Sequence, residues 1–240
     1  MSLVDNTQTT NSIRNYALGI LVVVYTFNFI DRQILSILLE SIKTDLGLSD
    51  TSLGFLTGFA FALFYATLGI PIAKYADKGN RRNLIALSLG IWSFMTALSG
   101  LAQNFFHLLF ARIGVGIGEA GCSPPAHSMI ADYFPANKRS TALGIYSLGI
   151  PFGIMFGLFA GGWINEVFGW RLAFFVVGIP GIVLAFIFRY TVKEPIRGQA
   201  EGKVDTEKQP SIYETVSYLI RKRSFRHLVF AAALAAFVGY

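Results

Sequence analysis

The sequence predicts an all-α membrane protein: a bundle of six spanning helices followed by the start of a seventh. Three observations carry that expectation. Only 14% of the 240 residues are charged, against 53% apolar, whereas soluble domains carry about 25% charge. The apolar residues gather in blocks of roughly 20, the length that takes a helix across a hydrocarbon core about 30 Å thick. Finally, 16 of the 20 Lys and Arg residues fall in alternate connections between blocks. This composition excludes a soluble enzyme, a disulfide-stapled secreted module and a disordered regulator. The single cysteine, Cys122, forms no internal disulfide and leaves the redox compartment open. A net charge of +6 would point to nucleic acid in a soluble chain, but here the basic residues sit between apolar blocks, so no nucleic-acid partner is expected.

The predicted spans are Ala17–Leu39, Leu53–Tyr75, Leu84–Ala102, Phe105–Ala131, Leu143–Trp163 and Leu172–Phe188. Each must be helical, because lipid offers no partner to backbone N–H and C=O groups. The first block is too long and too interrupted by Asn, Asp and Arg to be a cleaved leader. The basic residues cluster around Arg14, Lys74–Arg82, Lys138–Arg139 and Arg189–Arg226, against Lys43 and Arg171 on the other side. By the positive-inside rule the N-terminus, residues 1–15, and the connection after the sixth span are cytoplasmic. A polar linker, Lys193–Pro210, leads to Ile212, Val216, Leu219 and Ile220 at helical spacing beside Arg221–Arg223. That pattern fits a basic helix lying on the inner membrane surface, or equally a solvated connector. A seventh apolar block starts at Leu228 and stops after 13 residues, as expected of a chain cut near the middle of a longer one.

Two spans carry charges that lipid penalises by at least about 2.5–3.5 kcal/mol each. The first holds Asn28, Asp31 and Arg32; the fourth holds Arg112 and Glu119, with Ser123 and His127 further along. Arg112, Gly116, Glu119 and Ser123 lie within about 40° of one helical line, and Gly114, Gly118, Gly121 and Pro125 lie nearly opposite. Such a helix lines a cavity with one face and packs closely with the other, unless its charges form a structural ion pair between helices. Asp31 lies about 22 Å in from one side and Arg112 about 10 Å in from the other, so their depths nearly coincide. This predicts an Asp31–Arg112 contact, or a swap involving Arg32, with Glu119 lining a cavity nearby. Desolvation favours a neutral carboxyl and a guanidinium favours the charged form. A carboxyl whose partner comes and goes can therefore take up and release a proton, which makes Asp31 and Glu119 candidate proton-coupling groups. On the fifth span Gly149, Gly153, Gly157 and Gly161 recur every fourth residue beside Pro151, a stripe that permits either close helix packing or sliding and bending of the span.

The turn after the second span reads Ala73-Lys74-Tyr75-Ala76-Asp77-Lys78-Gly79-Asn80-Arg81-Arg82. It resembles the signature loop of the major facilitator superfamily, Gly-x-x-x-Asp-(Arg/Lys)-x-Gly-(Arg/Lys)-(Arg/Lys). Ala73 and Asn80 replace the two usual glycines; Asn tolerates the left-handed backbone that a tight turn needs. Arg112-x-x-x-Gly116 with Gly118-Glu119-Ala120, Gly149-x-Pro151-x-Gly153, Gly169-Trp170-Arg171 and Glu194-Pro195-x-Arg197 are similar to other motifs of that family. The resemblance covers Tyr16–Arg197, the N-terminal six-helix half of a twelve-helix transporter, made of two inverted three-helix repeats. Asn28-x-x-Asp31-Arg32, Trp92-Ser93 and Gly118-Glu119-Ala120 look most like the spinster-like branch.

The resemblance implies a proton-coupled secondary transporter of amphiphilic lipids, lysophospholipid or sphingoid in type, with a missing C-terminal half and no cofactor. The organic-anion/proton symporter branch, which shares Asp-Arg and Gly-Glu-Ala, is the alternative; a non-transporting receptor or scaffold is a second. The resemblance also implies a cytoplasmic gate of Asp77, Lys78, Arg81, Arg82 and Asp132, in which Asp77 and Arg81 join Asp132 in a charge network. Its cavity would be lined by spans one, two, four and five, with Phe27, Asn28, Tyr65, Ser123, His127 and Tyr146 as candidate contacts. No phosphate-binding Gly-rich loop, HExxH, GxSxG or Cys/His metal set is present, so no enzymatic activity is expected.

Overall fold

The structure, a computed structural model, describes residues 11–201 and 212–239; the first ten residues, the second half of the polar linker with Ser211, and Tyr240 lie outside them. All regular structure among the described residues is helical. The chain divides into two compact units, residues 1–203 and 204–240.

In the larger unit the first span is α1 (Asn11–Leu46), whose 36 residues run well beyond both ends of the predicted block. The second span is compound: a short α2 (Asp50–Gly54), a π turn over Phe55–Phe59, and α3 (Ala60–Lys78). Ser49 caps its start, with the Ser52 N–H donating to Ser49 Oγ at 3.2 Å. The third is α4 (Arg81–Ser99). Asn80 precedes it with φ of −81° and accepts the Asn83 N–H at 2.8 Å. It is a helix N-cap rather than the left-handed turn residue expected from the loop motif.

The fourth and fifth predicted spans are each broken once. The fourth is α5 (Phe105–Ala120) and α6 (Ser123–Tyr133), parted at Gly121–Cys122 ahead of Pro124 and Pro125. The fifth is α7 (Ala136–Ser147) and α8 (Gly149–Phe168), parted at Leu148 ahead of Pro151. In both cases the proline ring lacks the N–H that a continuous helix would need there. The sixth is α9 (Trp170–Thr191), entered through Gly169 at φ of 84°, a conformation that disfavours any Cβ. Among the described residues five segments are long and apolar enough to span a membrane unaided. The exception, α4, carries buried Ser88, Ser93, Thr96 and Ser99 and is sheltered by its neighbours. The chain is a multi-pass membrane protein.

Lipid tails are as apolar as leucine, so close packing rather than apolar burial distinguishes protein neighbours from lipid. Glycines supply it. A Cβ on Gly118 of α5 would come within 2.7 Å of the Trp92 backbone N on α4. On Gly178 of α9 it would come within 2.5 Å of the Ala97 N, and on Gly153 of α8 within 2.6 Å of the Thr26 O on α1. The core forms two apolar clusters, one with Leu21, Val24, Leu89 and Met129, the other with Ile34, Leu38, Leu108 and Phe174. Asn28 and Asp31 lie between them along α1, and with Arg112 and Glu119 of α5 they form a buried polar layer.

The smaller unit contains α10 (Ile212–Arg221), where a basic amphipathic helix is expected, and α11 (Arg223–Gly239), which starts a turn before the seventh apolar block.

Candidate transport site

The polar layer centres on one ion pair. Arg32 Nε of α1 donates to Glu119 Oε2 of α5 at 2.7 Å, with Glu119 fully buried and the Arg32 side chain 20% exposed. The guanidinium is thus the more exposed member of the pair. Three rings surround it: Phe29 at 5.2 Å, Phe61 at 5.3 Å and Tyr65 at 5.0 Å from the guanidinium carbon. Tyr25 extends this aromatic face, stacking on Tyr146 of α7 at 4.3 Å, and His127 meets Tyr146 edge-on at 5.3 Å. Asn28 is buried beside Glu119, while Ser123 is half-buried at the start of α6.

The expected Asp31–Arg112 contact is not formed. Both Asp31 oxygens and Arg112 Nε are buried without a hydrogen-bond partner among the described residues. Asp31 faces α4, beside Thr96 and Trp92, whereas the Arg112 guanidinium lies over Phe61 of α3 at 5.5 Å. The reason is azimuth. Equal depth brings two groups level, but Asp31 and Arg32 point about 100° apart on α1, and it is Arg32 that faces Glu119. Phe27 is displaced for the same reason: it lies near Gly181 of α9, about 140° around α1 from Arg32. Gly149, Gly153 and Gly157 bring α8 against α1 directly behind Tyr25, Phe29 and Gln33, while Pro151 is exposed.

Sequence reasoning missed Tyr25, Phe29 and Phe61. A signal was present: Tyr25, Phe29 and Arg32 share one face of α1, and Phe61 and Tyr65 stand one turn apart on α3. It also missed Trp92 and Thr96 as the surroundings of Asp31.

A second charge cluster closes the Lys/Arg-rich end. Arg81, 1% exposed, pairs with Asp132, donates from Nε to Glu194 Oε1 at 2.7 Å and from Nη1 to Ser128 Oγ at 2.8 Å. The second Glu194 oxygen accepts the Arg82 N–H at 2.7 Å, placing a carboxylate at the N-terminus of α4. Arg197 Nη2 caps the end of α3, donating to the carbonyls of Ala76 at 2.8 Å and Gly79 at 2.7 Å. Asp77 and Lys78 stand outside this network and are exposed. Arg81 and Asp132 meet; Asp77 does not join them. At the opposite end Asp45 of α1 pairs with Arg171 and accepts the Trp170 Nε1–H at 3.2 Å, which gives Gly169-Trp170-Arg171 its structural role.

Helices broken at prolines, glycine-tight packing and a buried ion pair joining the first and fourth spans define a polytopic membrane bundle built around an intramembrane charge site. The Major Facilitator Superfamily profile matches residues 21–240, and the chain belongs to that family. It is 36% identical over 228 residues to an MFS-type efflux pump of Mycolicibacterium smegmatis, covering 93% of this chain and 51% of that one. It is 37% identical over 191 residues to a probable galactarate/D-glucarate transporter of Bacillus subtilis, covering 77% of this chain and 42% of that one. Among solved structures it is similar to a bacterial homologue of the human lysosomal transporter Spinster, inward-facing and unoccupied, with 40% identity and a TM-score of 0.78. That match covers 96% of this chain and 54% of the other, and spinster-like proteins are its relatives within the superfamily. The chain spans about half the length of the relatives it matches, and these are named as transporters rather than enzymes.

Proposed function

We propose that the full-length protein is a proton-coupled secondary transporter of amphiphilic lipids, of lysophospholipid or sphingoid type, working by alternating access. The observation that carries this reading is the Arg32–Glu119 pair set in a wall of aromatic rings. A proton on Glu119 Oε2 ends the ion pair and releases the guanidinium, which then accepts an anionic headgroup. Loss of the headgroup restores the pair and expels the proton. Proton and solute are thereby linked through the two ends of one contact. Asp31, buried on α4's side of the same helix turn, is the second proton-coupling candidate.

Phe29 and Phe61 offer apolar surface and no hydrogen-bond donors, which suits a charged head with an acyl tail better than a polyol. Arg81, Asp132 and Glu194 form the structural part of a gate at the Lys/Arg-rich end, and exposed Asp77 is available to a helix N-terminus in a second half. That end faces the cytoplasm of a bacterial inner membrane, on the positive-inside bias. A second reading, symport of a small organic anion, is favoured by the 37% identity to a probable sugar-acid transporter. Its anion would occupy the same Arg32.

Proteoliposomes holding the full-length protein test both readings. With an imposed pH gradient, a fluorescent lysophospholipid should move and labelled D-glucarate should not, and Glu119→Gln should remove the dependence on the gradient. D-Glucarate flux without lipid flux establishes the second reading. Gradient-independent flux in the wild type sinks proton coupling.

A further inference from the structure

The faces of α4 and α9 turned away from the transport site form a groove of about 500 Å³. Its floor is made of small residues: a Cβ on Gly90 would meet only the Ala185 Cβ, at 3.8 Å. Exposed Leu87, Phe94 and Phe186 form its rims. From Phe94 at its inner end to Asn83 at its mouth it runs eleven residues along α4, about 16 Å by helix rise. Half of a hydrocarbon core about 30 Å thick is about 15 Å, so the groove has the length of one leaflet. The mouth lies at the Lys/Arg-rich end and carries Arg189. Among the described residues this guanidinium has neither an ion pair nor a hydrogen bond, and touches only the Tyr190 ring at 5.7 Å.

We propose that this groove binds one anionic phospholipid, its acyl chain along Gly90 and Ala185 and its phosphodiester on Arg189. An apolar trough ending at a cation that has no ion pair among the described residues, at interface depth, is complementary to a lipid with a negative head. A guanidinium matches two phosphate oxygens at once. A partner helix is a poorer fit, since it needs a trough across the full span and this one ends at Phe94. The site holds no carboxyl and lies on the opposite side of α4 from α5 and the Arg32–Glu119 pair, so its ligand is a bound lipid rather than the transported solute. The inference is independent of what the protein transports.

Native mass spectrometry of the full-length protein, delipidated and then mixed with phosphatidylglycerol or with phosphatidylcholine of the same chains, tests it. The wild type should hold one phosphatidylglycerol in preference to phosphatidylcholine by roughly five- to tenfold, the scale of one charge-assisted contact at a membrane surface. Arg189→Gln should abolish the preference, Arg189→Lys should keep most of it, and Gly90→Phe, which fills the trough, should lose both lipids. Lys138→Gln, a basic residue of the same end outside the groove, should behave as the wild type. Equal binding of the two lipids by the wild type, or an undiminished preference in Arg189→Gln, overturns the site. Retention of phosphatidylglycerol by Gly90→Phe overturns the placement of its chain.

Discussion

Replacing Glu119 and replacing Asp31 should have different consequences, because only Glu119 holds a cation. Glu119→Ala strands Arg32 in a largely dry site, and breaking a buried pair from one side costs about 3 kcal/mol, at the low end of the range since the guanidinium is part-exposed. Asp31→Asn keeps the shape and removes no hydrogen bond, so its cost stays below about 1 kcal/mol. Thermal unfolding of the two variants in detergent measures the difference; equal destabilisation would mean that Asp31 has a partner the geometry does not reveal. The pairing itself is testable by exchange. Arg32→Glu combined with Glu119→Arg should recover a large part of the stability lost by either change alone, whereas the exchange of Asp31 with Arg112 should recover none. This is the scale at which the sequence was least legible. Both charged spans and every intramembrane charge were visible, because lipid makes charge rare. Their partners were not: depth follows from counting residues, but azimuth follows from how α1 is rotated, which its neighbours decide.

Helix packing was legible in part. The glycines of α5 and α8 stood out by period, yet nothing in that period said which helix each would meet. Gly153 meets α1, where an added Cβ would lie 2.4 Å from Phe29 Cβ and 2.6 Å from the Thr26 carbonyl. Gly144, on α7, has nothing within 4 Å. Alanine at the two positions should therefore act with opposite signs. Gly153→Ala forces α8 off α1 and costs about 1–3 kcal/mol as overpacking. Gly144→Ala gains roughly 0.5–1 kcal/mol from helix propensity alone. The comparison is made by thermal unfolding in one detergent, and a stabilised Gly153→Ala would show that α1 and α8 are further apart than they stand here. The break at Gly121–Cys122 was missed although Pro124 and Pro125 lay in plain view, and beside Pro151 bending was expected without its place at Leu148. Continuous hydropathy hid them, since a membrane span is recognised by its length, and length does not register a kink.

At the scale of the whole bundle, the segment after α9 acts as a strap across the Lys/Arg-rich end. Glu194 holds Arg81 and the α4 N-terminus, Arg197 caps α3, the Gly198 N–H donates to Asp132 of α6 at 3.0 Å, and Glu201 accepts from Arg139 of α7 at 3.0 Å. It therefore ties the first three spans to the second three at one end, while Asp45 and Arg171 tie α1 to α9 at the other. The motif Glu194-Pro195-x-Arg197 was visible as a pattern; its partners were hidden because they lie more than 100 residues away in sequence. Substituting Glu194→Gln together with Arg197→Gln removes the strap's own charges towards the first three spans and leaves Arg81 paired with Asp132 and donating to the Pro195 carbonyl. The change replaces four charge-assisted hydrogen bonds with at best neutral ones and should cost about 2–4 kcal/mol, with Arg81 kept from being orphaned. Hydrogen–deuterium exchange of the full-length protein should show faster uptake at residues 76–83 and 194–201. Uptake around Asp45 and Trp170–Arg171 should stay as in the wild type, because no contact there depends on the strap. Faster exchange at both ends together would mean that the bundle opens as one cooperative unit and that the strap has no local role.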